Sequence, residues 1–360
     1  MYSIVTTKFS SFHLLILLLF NYSCYFCGVV STTNEMVTKV QYYLQTVGIC
    51  SFMHFLVDGL CVCCLYLLTA TTDMTCIVGV FMTYNILAFL TQPLTGWYVD
   101  KAKRKHWVLL ASILLLTMAV TVASLTISFP SFRSSVVGLY IIATLLGMGN
   151  SLFHVWGGKQ TVLKTDNDIR AVGTFVSTGA FGLSVGIVFY SWSLLYAFLL
   201  VICLLAVTYV RIDNMAVATV DAETKNPSYA QVAVWIAMAA LVAFVLFRSY
   251  LGQSFSVGSD HGALMVLALG AISMLGKMLG GWLSKCCGII GAMVLILVSV
   301  LLCMVLRGSH MVFPLVGLFM INCTMPITLY LANVVMKGRE GLAFGLLAAA
   351  LMPGYLLAFV

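Results

Sequence analysis

The chain reads GWYVDKAKRK from Gly96 to Lys105, five charged side chains close behind about twenty uncharged residues. A second Gly-Trp opens GWLSKCCG at Gly281, 185 positions later, again at the end of an apolar run. The longer stretches QPLTGWYVDKA (Gln92–Ala102) and KMLGGWLSKCC (Lys277–Cys287) align without gaps. A second echo is Arg170-Ala-Val-Gly against Arg339-Glu-Gly, each opening an apolar run. One segment has been written twice, and the unit that repeats is an oily helix with charge at its mouth.

Composition says where such helices live. The chain is 62% hydrophobic and 8% charged, with mean hydropathy +1.08. A soluble domain carries about 25% charged residues, so this chain cannot cover a water-facing surface. Its apolar runs reach the roughly 20 residues a spanning helix needs, whereas barrel strands are about ten residues long and alternate in polarity. The fold class is therefore an all-α polytopic membrane protein. Spans are expected at 48–70, 75–98, 107–129, 134–156, 171–190, 192–210, 231–250, 262–283, 288–306, 311–333 and 341–360.

Six spans (48–210), a polar linker (211–230) and five spans (231–360) make a duplicated transporter the natural reading. The odd count predicts that the second bundle lacks its last helix. Residues 1–47 form an N-terminal extension, in which 12–30 reads as an extra span, a signal-like segment or an upstream artefact. Loops 99–106, 157–170, 211–230, 284–287 and 334–340 hold twelve Lys and Arg, against Arg133, Arg248 and Arg307 on the other side. The basic side is expected to be cytoplasmic and the protein a multi-pass component of the cell membrane.

Several classes are set aside. The net charge of +7 sits in short loops rather than on a folded basic face, so no nucleic-acid partner is expected. Most of the twelve cysteines lie inside apolar runs and read as small hydrophobes. Cys286-Cys287 has no histidines at zinc spacing, so neither a metal nor a structural disulfide is expected. No Gly-x-x-x-x-Gly-Lys-Ser/Thr occurs, which argues against ATP drive. No cofactor is expected.

The first loop resembles that of the major facilitator superfamily, Gly-x-Leu-x-Asp-Arg-x-Gly-Arg-Arg/Lys. Gly96, Asp100, Lys101, Arg104 and Lys105 match, with Tyr98 for Leu and Lys103 for the second Gly; in the second copy Gly281, Leu283 and Gly288 match and Lys285 replaces the acid. The resemblance, over about residues 48–360, implies two pseudo-symmetric bundles that rock about a central cavity, and a monomer. It also implies that Asp100 holds the halves together on the cytoplasmic side. There its carboxylate would face the positive N-terminus of a helix beginning near Gly341, worth about 0.3–1 kcal/mol at an exposed site.

Buried ionisable groups mark the site, because an acid at mid-membrane costs at least about 2.5–3.5 kcal/mol. His54 and Asp58 are four apart in SFMHFLVDGL, and Asn150 and His154 four apart in GMGNSLFHVW, so each pair shares a helix face. In the family the first and fourth helices line the cavity, which would bring all four together. Asp58 is the candidate proton-coupling group and His54 its partner. Pro326 predicts a kink in the tenth span with a free carbonyl at Asn322; Asn322, Thr324 and Thr328 are expected to face the cavity. Lys277 is read as snorkelling, Arg248 as an interfacial anchor, and Gly179, Gly182 and Gly186 as packing.

The expected function is secondary active transport of a small solute, coupled to protons. Gly-Asn-x-x-Phe-His is similar to the fosmidomycin-resistance branch of efflux pumps and tilts the direction towards export. Two alternatives stand beside it: a membrane-embedded acyltransferase using His54 and Asp58, and a solute sensor that transports nothing.

Overall fold

The computed structural model describes residues 33–69, 73–102, 106–128, 136–210, 228–255 and 262–359. Expectations for 12–30, for Lys103, Arg104 and Lys105, for Arg133 and for linker residues 211–227 lie outside them. Leu44–Val360 form one compact unit, and of the other, Met1–Tyr43, only the helical residues from Thr33 are described.

Among the described residues every regular element is helical. Lipid offers no partner to a bare N–H or C=O, so a spanning segment must satisfy its backbone internally. In chain order come α1 (Thr33–Thr69), α2 (Thr75–Lys101), α3 (His106–Ser128), α4 (Val136–Lys164), α5 (Ile169–Val188), α6 (Ser193–Val210) and α7 (Ser228–Gln253). The stretch Gly262–Leu306 is two helices, α8 (262–287) and α9 (289–306), divided at Gly288, whose φ of 72° suits a residue without Cβ. α10 (Val312–Val335) and α11 (Glu340–Leu356) follow. Among the described residues nine helical stretches are long and apolar enough to cross a membrane, Gly262–Leu306 counting as one despite its division at Gly288.

Four elements depart from expectation. α1 begins at Thr33 instead of at 48, so its helix runs back into the stretch read as an N-terminal extension. α4 runs to Lys164 instead of ending at 156, because Lys159, read as a loop residue, is buried and neutralised inside the bundle. α2 widens into a π-turn at Ile86–Leu90 before resuming at Gln92. α10 breaks at Cys323 rather than at Pro326: the Cys323 N–H is shared between the Phe319 and Met320 carbonyls, and Pro326 falls in the first turn of the next segment, where its missing N–H costs nothing.

Glycines set the closest helix approaches. A Cβ on Gly96 would overlap the Gly341 carbonyl, and one on Gly345 the Gln92 carbonyl, so α2 and α11 touch backbone to backbone. A Cβ on Gly281 would lie 2.6 Å from the Ile169 carbonyl, so α8 meets the start of α5 in the same manner. The two contacts exchange the halves: the second helix of each half lies against the fifth helix of the other.

Candidate functional site

α1 and α4 together carry a buried polar cluster. His54 Nδ1 lies 2.7 Å from the Phe175 carbonyl and His154 Nδ1 3.0 Å from the Asn150 carbonyl. A carbonyl can only accept, so both Nδ1 atoms carry hydrogen. The two Nε2 atoms then face each other at 2.8 Å. Two lone pairs at that distance repel, and a proton held between them turns the contact into a charge-assisted hydrogen bond. Asp58 supplies the balancing charge, 3.3 Å from His54 Nε2 and 3.4 Å from His154 Nε2, and its Oδ1 accepts from Asn150 Nδ2 at 3.1 Å. The four residues expected to converge are in contact.

Gly179, read from sequence as packing, leaves this cluster its room: a Cβ there would overlap both Asp58 Oδ2 and His54 Nε2. Among the described residues the ligating atoms of His54, Asp58 and His154 are also the group tight enough for a metal ion, within 4.8 Å of one another. Bonds of 2.0–2.1 Å to a tetrahedral zinc would set the two nitrogens about 3.3 Å apart. The observed 2.8 Å is a hydrogen-bond distance and fits a shared proton better.

The cluster borders a cavity of about 440 Å³, within the usual range for a small-molecule site. Its other walls are largely apolar, among them Leu65, Phe81, Phe89, Leu183, Phe344 and Leu351, with Tyr84, Gln92, Ser249 and Lys277 as polar points. Asn322, Thr324 and Thr328 are not in this lining. Asn322 donates to its own helix at the Leu318 carbonyl, Thr324 to that of Ile321 and Thr328 to that of Met325. Hydroxyl and amide groups within a helix turn back to the preceding turn when no better partner faces them. Arg248, read as an interfacial anchor, is instead buried with its Nε unpaired.

At the Asp100 end, α2 is tied to α11. Asp100 Oδ1 accepts from the Gly341 N–H at 2.9 Å and Oδ2 from the Leu342 N–H at 2.9 Å, so the carboxylate sits on the N-terminus of α11. Lys159 Nζ donates to Oδ1 at 2.6 Å, both side chains being buried; sequence reading gave Lys159 no role. Lys101 lies 3.8 Å over the Trp97 ring, and Arg170 5.1 Å over that of Trp282. Arg170 also forks onto Asp168, and Asn167 Nδ2 reaches across to the Tyr330 carbonyl at 3.2 Å. Burial pushes the Asp168 carboxyl up, but the Arg170 side chain and N–H outweigh it and hold it below its usual 3.8.

No protein-family model and no curated protein matches the sequence. Solved structures do. The crystal structure of FucP, a major facilitator superfamily transporter, in its outward conformation aligns over 88% of this chain and 91% of its own, at TM-score 0.59 and 12% identity. The chain has the major facilitator fold. The human organic anion transporter MFSD10 aligns at TM-score 0.59 and 15% identity over 88% of this chain and 92% of its own. A bacterial homologue of the iron transporter ferroportin, outward-facing, aligns at 0.55 and 13% over 87% and 91%. Within the major facilitator fold, the contact at Asp100 and the cavity beside Asp58 lie between helices of the two halves, in a multi-pass membrane protein.

Proposed function

We propose that the chain is a secondary active transporter that moves a small solute by alternating access and couples that movement to protons. The observation that carries the reading is the His54–His154 contact at 2.8 Å beside Asp58, in the wall of a cavity between the two sets of helices. Around Asp58 stand His54 and Cys61 of its own helix, Asn150 and His154 of α4, Tyr84 of α2 and Lys277 of α8. A proton leaving the histidine pair leaves Asp58 without its nearest positive charge, which raises the cost of keeping that carboxylate dry. Solute binding and proton binding thus bear on the same wall.

With the basic loops cytoplasmic, the form described here faces outward, its Asp100 contact closed. The likeness to an efflux branch makes export the expected direction. Both bundles supply cavity residues, as rocking of one against the other requires. An acyltransferase reading gains little support, since His54 and Asp58 are engaged with His154, Asn150 and a carbonyl. The sensor reading differs only in lacking flux.

The test is solute flux in proteoliposomes under an imposed pH gradient. Wild-type flux should follow the gradient, and Asp58→Asn should move solute down its own gradient with no response to pH. A variant that keeps the normal pH response would end the coupling assignment.

A further inference from the structure

The cavity wall is electrically lopsided. α1 and α4 bring one carboxylate, already engaged by two histidines and an amide. α7 and α8 bring Arg248 and Lys277. Among the described residues neither cation belongs to any ion pair, and Arg248 Nε, wholly buried, has no hydrogen-bond partner. Lys277 lines the cavity, and so does Ser249, the residue next to Arg248.

Unpaired cations inside a membrane protein are costly and mark sites that something else neutralises. Snorkelling does not account for them, because Arg248 is 6% exposed and Lys277 faces the cavity, not an interface. The partner must be negative and must enter through the cavity. It must also be largely apolar, since most of the remaining wall is leucine, valine, methionine, alanine and phenylalanine, with few polar points.

We propose that the cavity binds an organic monoanion, a carboxylate on an apolar or aromatic body, with Lys277 contacting the carboxylate and Arg248 adding a second positive charge behind it. This rests on the transporter reading and names its substrate class. Lys277 is a compact charge on a long stem and tolerates carboxylates of different depth, while Arg248, more weakly hydrated, is the cation better suited to burial. The apolar body lies against Phe81, Phe89 and Phe344.

The experiment is thermal stabilisation of the purified protein by matched probes: hexanoate and benzoate, their amides, and hexylammonium. The carboxylates should stabilise, while the amides and hexylammonium should not. Lys277→Gln should weaken carboxylate binding at least about tenfold, Lys277→Arg should retain most of it, and Arg248→Met should weaken it without abolishing it. Melting without ligand reports whether each variant is folded. If Lys277→Gln does not fold, Lys277→Arg against Arg248→Met decides: retention in the first with weaker binding in the second supports the site, and equal binding by both overturns it. Stabilisation by amide or ammonium equal to that by carboxylate overturns the assignment, as does a carboxylate effect that survives Lys277→Gln, or no carboxylate effect on wild type. Flux in proteoliposomes separates the two levels. Asp58-dependent movement of a neutral or cationic solute would sink the anion and spare the transporter, whereas Lys277-dependent carboxylate binding with no flux would do the reverse.

Discussion

At the scale of single residues, helix periodicity was enough to pair His54 with Asp58 and Asn150 with His154, because four-residue spacing fixes a shared face. It could not say that the two pairs would meet through their imidazoles, since that depends on how far apart α1 and α4 are held. That distance is set from a third helix. Gly179 carries no chemistry in sequence, yet any side chain there would occupy the space of Asp58 Oδ2 and His54 Nε2. Gly179→Ala should therefore abolish the pH response of flux while costing only about 1–3 kcal/mol of stability, measured by flux and melting on the same preparation. Lys159 escaped notice for the opposite reason. A lysine after Gly-Gly reads as a loop cation, and only the buried carboxylate of Asp100 makes it tolerable inside a helix. Lys159→Met removes one partner of a buried pair, worth about 3–5 kcal/mol in the closed form. Spin labels at Ala102 and Lys337 should move apart in that variant.

At the scale of elements, the spans were legible because a 20-residue apolar run has few other uses, and most boundaries fall within a few residues of those expected. Interruptions were not legible. The π-turn in α2 lies just ahead of Pro93, and the break in α10 sits at Cys323, ahead of Pro326, so in each case the proline marks the neighbourhood while the irregularity falls several residues before it. The polar residues near that break turned out to bond within their own helix, so the presence of Asn322 and Thr324 in a span did not translate into a place on the cavity wall. The α4–α5 connection makes a prediction of its own. Asp168 is held below its ordinary range by Arg170, so its contribution to stability is fully present above about pH 4 and fades as pH falls through the lowered value. Asp168→Asn should flatten the acid limb of the melting profile below about pH 4, and little else.

At the scale of the whole molecule, the first Gly-Trp located the contact with the helix at Gly341, while its copy at Gly281 marks a second contact, with the start of α5, that sequence reading did not assign. Gly96→Leu should bar the first contact: Cβ alone would overlap the Gly341 carbonyl. Solute binding from the cavity side should persist while flux falls at least about tenfold, the loss of one state of two. What the duplication could not convey is asymmetry, with acid and histidines on one half, lysine and arginine on the other. The π-turn at Ile86–Leu90 ties these ends of the molecule together. A π-turn takes up its extra residue in one widened turn, so the cavity half of α2, with Phe81 and Tyr84, and the half that bears Gly96 and Asp100 stay in phase across it. Each residue of regular helix adds about 100°, so one alanine inserted between Pro93 and Leu94, outside that turn, would leave the cavity wall intact and swing the carboxylate about a quarter-turn from α11. Such a protein would still hold its ligand, like a key that fits a lock whose bolt no longer meets the frame.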